Sequence, residues 1–386
     1  MAETELVLPS GPVELVRRHT PPNSPLRAWT AADELVLRDL DGADPGRLLI
    51  VGDTWGALAV GLARWSPTVW TDSVLARAAI DDNLRRNGSE PLGVRAVTGT
   101  AVPTGVFDTV VIAIPKSASL LAHQCRLLRG LVSPATTIIA AGMTKYLARA
   151  VWEALALLGD AKGRPAERKA RLIDVVADER TGEADAETTC VIEAFHTDAG
   201  VAVHEAPGVF SAGHLDVGTA LLLDHADDIE TALGSTPQRC LDLGCGNGVI
   251  AATLAGRWPD SEWRLTDVSD LAVAAAEATW IASGHASDRA EFVVCDGVPE
   301  RSDGFDLVVT NPPFHQGHAP DPALTERLMA EAAASLCEGG MLAVVAQRHL
   351  ELHRVMRRHC TDVAAVSSRR SHVVIVARRR DVRRVP

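Results

Sequence analysis

The most constraining feature of this 386-residue sequence is an internal repeat at about half its length. Three pairs of segments match in the same order along the chain: residues 47–56 with 239–248, 71–72 with 266–267, and 105–116 with 303–314. The offset between partners grows smoothly, from 192 to 195 to 198 residues. Matches that keep their order at this period indicate duplication of a whole domain. We therefore predict two domains, residues 1–195 and 196–386.

In the second half, apolar runs of strand length alternate with segments of helix length. Strands are predicted at 240–243, 262–266, 291–295, 305–310 and 340–346, and helices at 248–257, 270–283 and 322–337. This alternation predicts an α/β fold with a mostly parallel, doubly wound sheet, whose ligands bind at the carboxyl ends of the strands. Residues 362–367 and 372–377 flank a polar turn and predict a closing antiparallel hairpin. The first half carries a degenerate copy of this layout.

The first predicted strand of the second half runs into a glycine-rich turn, Asp242-Leu243-Gly244-Cys245-Gly246-Asn247-Gly248. Glycines there allow the backbone to approach a nucleotide-like ligand where a side chain would collide. The D-x-G-x-G-x-G spacing differs from the dinucleotide G-x-G-x-x-G pattern because its third glycine comes one residue early. Asp267 and Asp296 end the next two strands, where carboxylates can bind a ribose diol and an adenine amino group. A helix N-cap or turn role is the alternative for each.

The second informative segment is Asn311-Pro312-Pro313-Phe314, which follows the apolar run at 305–310. The Asn311 oxygen and the Pro312 carbonyl can accept both hydrogens of an exocyclic NH2 group, because the prolines hold the backbone rigid. An aromatic amine is a weak nucleophile, so the enzyme's task is mainly orientation. We therefore predict Asn311, Pro312 and Phe314 as catalytic residues, with Phe314 stacking on a base turned out of its helix.

The first copy of the repeat lacks these chemical groups. Each replacement removes a function: Thr54 stands at the position of Gly246, Ala113 at Asn311, Ile114 at Pro312 and Lys116 at Phe314. A Cβ on the turn obstructs close approach of a ligand, and an alanine side chain cannot accept a hydrogen bond. We therefore predict a catalytically silent first domain that positions RNA or shields the catalytic domain.

Composition limits the remaining possibilities. The seven cysteines form no CxxC pair and have no histidine at zinc-ligand spacing, which favours reduced thiols over a metal site. No apolar run approaches the roughly 20 residues of a membrane helix, and the acidic start lacks signal-peptide features, so we expect a cytoplasmic protein. The net charge of −12 argues against a nucleic-acid partner, yet residues 348–386 hold 11 Lys or Arg against 3 Asp or Glu. This basic edge is either a phosphate-contacting surface or a solvated charged tail.

The glycine turn and the N-P-P-F segment resemble the motifs of the small-domain, S-adenosylmethionine-dependent methyltransferases. The whole chain resembles the two-domain bacterial ribosomal RNA guanine-N2 methyltransferases, and residues 311–319 and 348–350 look closer to the 23S than to the 16S enzymes. Residues 26–34, 115–117 and 142–145 resemble the silent domain of the same family. The resemblance implies tandem class I methyltransferase (Rossmann-like) domains, S-adenosyl-L-methionine as cofactor and ribosomal RNA as partner, with no metal. We also expect a monomer with pseudo-twofold related domains.

The resemblance extends the set of expected site residues. Phe210 and Asp216 precede the glycine turn and are implied to help enclose the cofactor, together with Asp242, Gly244, Gly246, Gly248, Asp267, Asp296 and Asn311. The implied substrate contacts are Pro313, Phe314, His315, His318 and Arg348. Histidines in such loops contact the ligand more often than they act as bases, and the amine can release its proton after transfer.

The leading prediction is methyl transfer to N2 of a guanine in 23S ribosomal RNA. One alternative is the corresponding 16S reaction, and another is adenine N6 methylation, because the N-P-P-aromatic geometry suits any planar NH2 group. Methylation of a protein glutamine is a further option, although those enzymes tend to carry Tyr where Phe314 stands. A noncatalytic RNA-binding assembly factor is the non-enzyme alternative, and the intact Asn311 and glycine turn argue against it.

Overall fold

The computed structural model divides the chain into two compact units, Met1–Cys190 and Val191–Pro386. The residues it describes are 3–21, 24–179, 190–210, 213–300, 304–313, 315–316, 319–320 and 322–380. The division precedes the predicted boundary at residues 195 and 196. Strand Ile192–His196 pairs with strand Ala202–Glu205, and this hairpin places residues 192–196 in the second unit.

The first unit alternates strands and helices after a short hairpin. Its elements are β1 (Glu5–Leu8), β2 (Gly11–Glu14), α1 (Ala31–Asp39), β3 (Leu48–Val51), α2 (Ala57–Gly61), β4 (Thr68–Trp70), α3 (Val74–Arg86), β5 (Arg95–Val97), β6 (Thr109–Ala113), α4 (Ala118–Leu128), β7 (Thr137–Met143), α5 (Arg149–Leu155), β8 (Gly159–Gly163) and β9 (Ala170–Ala177). The seven-stranded sheet has the order β5-β4-β3-β6-β7-β9-β8. Its first five strands are parallel, and β9 and β8 close it as an antiparallel hairpin.

The second unit has the same layout. Its elements are β10 (Ile192–His196), β11 (Ala202–Glu205), α6 (Val217–Asp224), α7 (Ala226–Leu233), β12 (Arg239–Leu243), α8 (Val249–Arg257), β13 (Glu262–Asp267), α9 (Asp270–Ala282), β14 (Ala290–Val294), β15 (Phe305–Thr310), β16 (His315–Gln316), β17 (Ala319–Pro320), α10 (Pro322–Ser335), β18 (Leu336–Gln347), α11 (Leu352–His359), β19 (Cys360–Ser368) and β20 (His372–Arg379). The sheet order β14-β13-β12-β15-β18-β20-β19 matches that of the first unit. The predicted fold class, tandem doubly wound sheets with closing hairpins, is confirmed.

The two units repeat individual contacts as well as topology. The backbone N–H of Arg47 donates to Asp108 Oδ2 at 2.7 Å, and the N–H of Arg239 donates to Asp306 Oδ2 at 3.0 Å. Each arginine also places its guanidinium over the phenylalanine before that aspartate, at 4.4 Å in the first unit and 5.6 Å in the second. A shared contact of this kind at matching positions is what duplication of a domain produces.

The largest difference from a predicted helix or strand boundary lies between α10 and β18. The helix was expected to reach residue 337 and the strand to begin at 340, but α10 ends at Ser335 and β18 begins at Leu336. Phe305 pairs with Leu336 and Leu307 with Met341, so the extra residues of β18 form a bulge at Gly339, whose φ is +78°. Pairing with β15 therefore extends the strand beyond its apolar run.

Both sheets are covered on their two faces by apolar clusters. In the second unit, one cluster lies under α6, α8 and α9, and the other lies under α10 and α11. The strands between them are buried on both sides, which is why they read as continuous apolar runs. No helix in the described part of the chain is long and apolar enough to cross a membrane.

Candidate functional site

The candidate site lies at the carboxyl ends of β12 and β15, which are neighbours in the sheet of the second unit. The chain winds from β12 to β14 on one side and from β15 to β18 on the other. A doubly wound sheet opens a crevice at this reversal, and ligands bind there. The glycine turn follows β12 and Asn311 follows β15, so the two predicted motifs meet at this crevice.

The three glycines of the turn serve two different purposes. All three have positive φ, at +71° for Gly244, +54° for Gly246 and +74° for Gly248. A Cβ on Gly244 or Gly246 would meet atoms no closer than 3.9 Å, so the space beside them is open. A Cβ on Gly248 would instead lie 2.8 Å from the Cβ of Ala276 on α9. The first two glycines thus leave room for a ligand, and the third allows two helices to pack closely.

Asp242 is a buried acid at the end of β12. Its Oδ2 accepts a hydrogen bond from the N–H of Ala251 at 3.2 Å, and its side chain is 0% exposed. Its Oδ1 is buried and accepts no hydrogen bond from the residues that the structure describes. Burial, with a smaller contribution from the nearby charge of Asp267, raises the pKa of Asp242 to about 7. A buried acceptor with no partner suits a ligand that brings its own donor.

Asp267 and Asp296 continue this row of acids at the ends of β13 and β14. Asp267 accepts from the N–H of Gly246 at 3.1 Å and from that of Ser269 at 3.0 Å, and burial raises its pKa. The two strand ends are adjacent, because the N–H of Cys295 donates to the Asp267 carbonyl at 2.9 Å. Asp296 forms an ion pair with Arg327, with Nη2 and Oδ1 2.5 Å apart.

These groups fit the predicted cofactor. S-adenosyl-L-methionine carries an ammonium, a ribose diol and an adenine amino group, all of which are hydrogen-bond donors. The open glycine backbone and the three carboxylates at adjacent strand ends offer space and acceptors for such a molecule. In the described part of the chain, no group of three or more His, Cys, Asp or Glu side chains is arranged to hold a metal ion.

The side-chain amide of Asn311 is held by the first turn of α6. Its Nδ2 donates to Asp216 Oδ2 and to Thr219 Oγ1, each at 3.1 Å. Asp216 is the N-cap of α6, and the same Oδ2 also accepts from the N–H groups of Gly218 at 2.9 Å and Thr219 at 3.0 Å. Both Asn311 hydrogens are therefore used, which leaves its Oδ1 as the acceptor that the proposed chemistry requires.

The backbone beneath Asn311 is fixed by its neighbours. The buried hydroxyl of Thr310 donates to the Leu243 carbonyl at 2.6 Å and joins the ends of β15 and β12. Pro312 is buried, whereas Pro313 is exposed. The Cδ of Pro313 lies 3.9 Å from where a Gly244 Cβ would be, so the acceptor motif and the glycine turn face each other.

The structure does not bring every predicted residue into the site. Phe314 and His318 lie outside the described residues, and only the backbone of His315 is described, in β16. Phe210 is 66% exposed. Arg348 is exposed in the turn after β18, where its N–H donates to the Ser371 carbonyl at 3.0 Å.

Most of the described arginines of the basic edge bind other groups of the second unit. Arg354, Arg358 and Arg369 form ion pairs with Glu351, Glu326 and Asp224, and Arg378, Arg379 and Arg380 donate to backbone carbonyls. Arg348, Arg357 and Arg370 are exposed and form no ion pair with any described residue. Six of the nine described arginines at this end of the chain therefore bind groups of the same unit.

Sequence reasoning missed two site residues, Thr219 and Arg327. Thr219 is 5% exposed and looked like an ordinary helix residue, although Asp216 three positions earlier gave an N-cap signal. Arg327 stands in a helix with an acidic residue four positions later, a pattern typical of a surface ion pair. Only the fold shows that both side chains contact predicted site residues.

The corresponding crevice of the first unit is closed. A Cβ on Gly52, the counterpart of Gly244, would lie 2.9 Å from the Ala113 carbonyl oxygen. Asp53 is 3% exposed, and its oxygens accept from the N–H groups of Gly56 at 2.9 Å and Ala59 at 2.8 Å. Both oxygens of Asp53 thus bind the start of α2, whereas Asp242 in the second unit binds the start of α8 through Oδ2 alone and its Oδ1 has no partner among the described residues.

Comparison with known proteins matches both halves of the chain. The family "Methyltransferase small domain" matches residues 200–376, and the family "RLMG N-terminal domain" matches residues 3–179. A protein of Streptomyces griseus named "Ribosomal RNA large subunit methyltransferase G" is 37% identical, over 92% of this chain and 94% of its own length. A Pseudomonas putida protein of the same name is 34% identical, over 97% of this chain and 99% of its own.

A solved structure shares the fold over the full length. It is the Thermus protein described as "T. Thermophilus 16S rRNA N2 G1207 methyltransferase (RsmC) in complex with AdoMet and Guanosine". The TM-score is 0.76, with 98% of each chain covered and 21% sequence identity. At this identity the likeness establishes the two-unit architecture.

Proposed function

Because the chain belongs to the family of ribosomal RNA large subunit methyltransferase G, we propose that it methylates N2 of a guanine in 23S ribosomal RNA. It is an S-adenosyl-L-methionine-dependent methyltransferase. We also propose the nucleobase atom that is methylated, the roles of the site residues and the catalytic silence of the first unit. The observation that supports the proposed role of Asn311 is the orientation of its amide by Asp216 and Thr219.

We assign the methyl donor, S-adenosyl-L-methionine, to the crevice beside the glycine turn. Gly244 and Gly246 would admit its backbone contacts, Asp267 would bind the ribose diol, and Asp296 the adenine amino group. Asp242, with one buried oxygen that has no partner among the described residues, would accept from the donor's ammonium. The bound donor supplies a methyl group activated by the positive charge on its sulfur.

The acceptor amine is oriented by Asn311 and Pro312. Because both hydrogens of the Asn311 amide are bound by Asp216 and Thr219, its Oδ1 presents an acceptor, and the Pro312 carbonyl presents a second. Two acceptors hold the amine's hydrogens, direct its lone pair at the methyl group and stabilise the positive charge that develops on nitrogen. The proton leaves after transfer. Pro313, Phe314, His315, His318 and Arg348 are proposed substrate contacts.

Asn311→Ala tests this assignment. The variant should bind S-adenosyl-L-homocysteine with wild-type affinity, measured by calorimetry, while the single-turnover rate of transfer to ribosomal RNA falls by orders of magnitude. Ser371→Ala, which removes only an exposed hydroxyl that contacts His372, is the control and should leave both quantities unchanged. Near-normal turnover by Asn311→Ala would rule out the proposed mechanism.

A second experiment tests the substrate. Mass spectrometry of ribosomal RNA fragments from cells with and without the gene should show loss of one N2-methylguanine in 23S RNA. Loss of a 16S modification would select the small-subunit reaction instead. An unchanged set of ribosomal modifications would direct the search to adenine or glutamine acceptors.

A further inference from the structure

Arg327 on α10 contacts the acid that we assign to the donor's adenine. Its Nη2 lies 2.5 Å from Asp296 Oδ1, and its Nη1 donates to the Asp296 carbonyl oxygen at 3.4 Å. The two side chains are only 16% and 18% exposed, so solvent screens this ion pair weakly. A guanidinium that contacts both the side chain and the backbone of one residue fixes that residue's rotamer.

Glu331, one turn further along α10, completes the clamp. Its Oε1 accepts from Arg327 Nη1 at 2.9 Å, and its Oε2 accepts from the N–H of Val298 at 3.2 Å. A Cβ on Gly297 would collide with the Glu331 carboxylate, so the loop lies directly against the helix. Residues 296–298 are thus held to α10 through a side chain and two backbone groups.

The clamped loop borders the proposed donor site. The N–H of Cys295 donates to the Asp267 carbonyl at 2.9 Å, and Asp267 in turn accepts from the N–H of Gly246 in the glycine turn. Asp296 therefore stands at the end of the row of acids that runs outward from Asp242. Its placement relative to Gly246 depends on how α10 holds the loop.

We propose that Arg327 is a positioning residue for donor recognition, which fixes Asp296 so that its carboxylate selects the 6-amino group of adenine. This inference rests on the proposed donor site. An ionised carboxylate can only accept hydrogen bonds. Adenine presents an NH2 donor at its 6-position, whereas hypoxanthine presents a carbonyl oxygen that the carboxylate repels. Arg327 does not touch the donor and acts through Asp296.

The test compares S-adenosyl-L-homocysteine with S-inosyl-L-homocysteine, which carries a 6-oxo group in place of the 6-amino group and a hydrogen on N1. Their dissociation constants are measured by calorimetry on the full chain without RNA. The wild type should prefer the adenosyl ligand by about tenfold or more, the usual strength of a hydrogen bond to a charged group. Arg327→Met should reduce this preference to about threefold or less, mainly by weakening the adenosyl ligand. Arg327→Lys, which keeps the charge but not the fork, should give an intermediate ratio.

Arg358→Met is the matched control. Arg358 of α11 pairs with Glu326 of α10 at 2.6 Å, but the pair is exposed, at 59% and 42%, and Asp296 takes no part in it. This variant should keep the wild-type ratio. Equal weakening of both ligands by Arg327→Met, or an unchanged ratio in both folded Arg327 variants, would overturn the inference and leave the donor site intact. A wild type that binds neither ligand would instead overturn the donor site, and the inference with it.

Discussion

Thr219 links the first turn of α6 to the Asn311 amide, which we propose orients the substrate. Its hydroxyl is one of two acceptors for Asn311 Nδ2, the other being Asp216 Oδ2. We predict that Thr219→Val, which keeps the shape of the side chain and removes the acceptor, lowers kcat about tenfold, the usual effect of losing one hydrogen bond. The dissociation constant of the donor and the Tm should change little.

Thr219→Ser is the control, because it keeps the hydroxyl. Its rate constant for methyl transfer, measured in the same single-turnover assay, should lie near the wild-type value. If Thr219→Val and Thr219→Ser have equal rates, the hydroxyl has no part in orienting Asn311, and Asp216 alone holds the amide.

Asp242 illustrates a cost of keeping an acid buried in the donor site. Its pKa of about 7 in the folded chain lies above the value of 3.8 expected for an exposed aspartate. Between these values the folded state binds more protons than the unfolded state, so this residue's contribution to stability falls as the pH rises from about 4 to about 7. We predict that Asp242→Asn raises the Tm of the donor-free protein at pH 8 and that this gain shrinks at pH 5.

Asp53 of the first unit is the comparison for this prediction. Both of its oxygens accept hydrogen bonds from backbone N–H groups, at 2.9 and 2.8 Å. An asparagine at this position would therefore direct its NH2 group at one of these N–H groups, which cannot accept a hydrogen bond. Burial raises the pKa of Asp53 as well, but the misplaced NH2 group offsets the relief of charge burial, so Asp53→Asn should gain less Tm at pH 8 than Asp242→Asn does. A Tm difference between Asp242→Asn and the wild type that is the same at pH 5 and pH 8 would show that charge burial at Asp242 is not its origin.

The glycine turn joins β12 to α8 and combines a binding element with a packing element. Gly246→Ala places a Cβ in open space, 4.0 Å from Val209, at a cost of about 1–2 kcal/mol for the positive φ. We predict a small loss of Tm and at least tenfold weaker donor binding, because the Cβ occupies the donor's space.

Gly248→Ala should behave in the opposite way. Its Cβ would lie 2.8 and 2.9 Å from the Cβ and Cα of Ala276, which forces α8 and α9 apart at a further cost of about 1–3 kcal/mol. Calorimetry should show a larger loss of Tm than for Gly246→Ala. Equal losses of Tm in the two variants would mean that the helices adjust without cost.

The elements were predictable from sequence where the local pattern decides the structure. Strands such as β12 and β15 are buried on both faces and therefore form apolar runs in the sequence. The three glycines after β12 predict the turn. The predicted start of β18 was wrong, because pairing with β15 extends this strand past its apolar run. The contacts of Thr219 and Arg327 could not be predicted, since each joins segments distant in sequence. The roles of the site residues and the position of the domain boundary stay predictions.

At the scale of the whole molecule, the same architecture occurs twice, with different residues at the turn after the first parallel strand. Both sheets have the same strand order, and the Arg47 and Arg239 contacts are repeated. In the second unit the turn leaves open space and one Asp242 oxygen has no partner among the described residues, whereas in the first the Gly52 turn lies against Ala113 and both Asp53 oxygens bind the start of α2. We therefore propose that duplication kept the packing residues and that the first copy lost the ligand site.

This difference predicts one donor site per chain. Calorimetry with S-adenosyl-L-homocysteine should give a stoichiometry of one for the wild type. It should also give one for the double variant Thr54→Gly and Ala113→Asn, because these changes restore two motif residues but leave the Asp53 carboxylate at the start of α2. Adding Gly246→Ala to the double variant isolates the first unit, since it weakens the only site expected to bind. Tight binding that survives in this triple variant would show that Thr54 and Ala113 alone silence the first unit, and that its closed crevice opens once they are replaced.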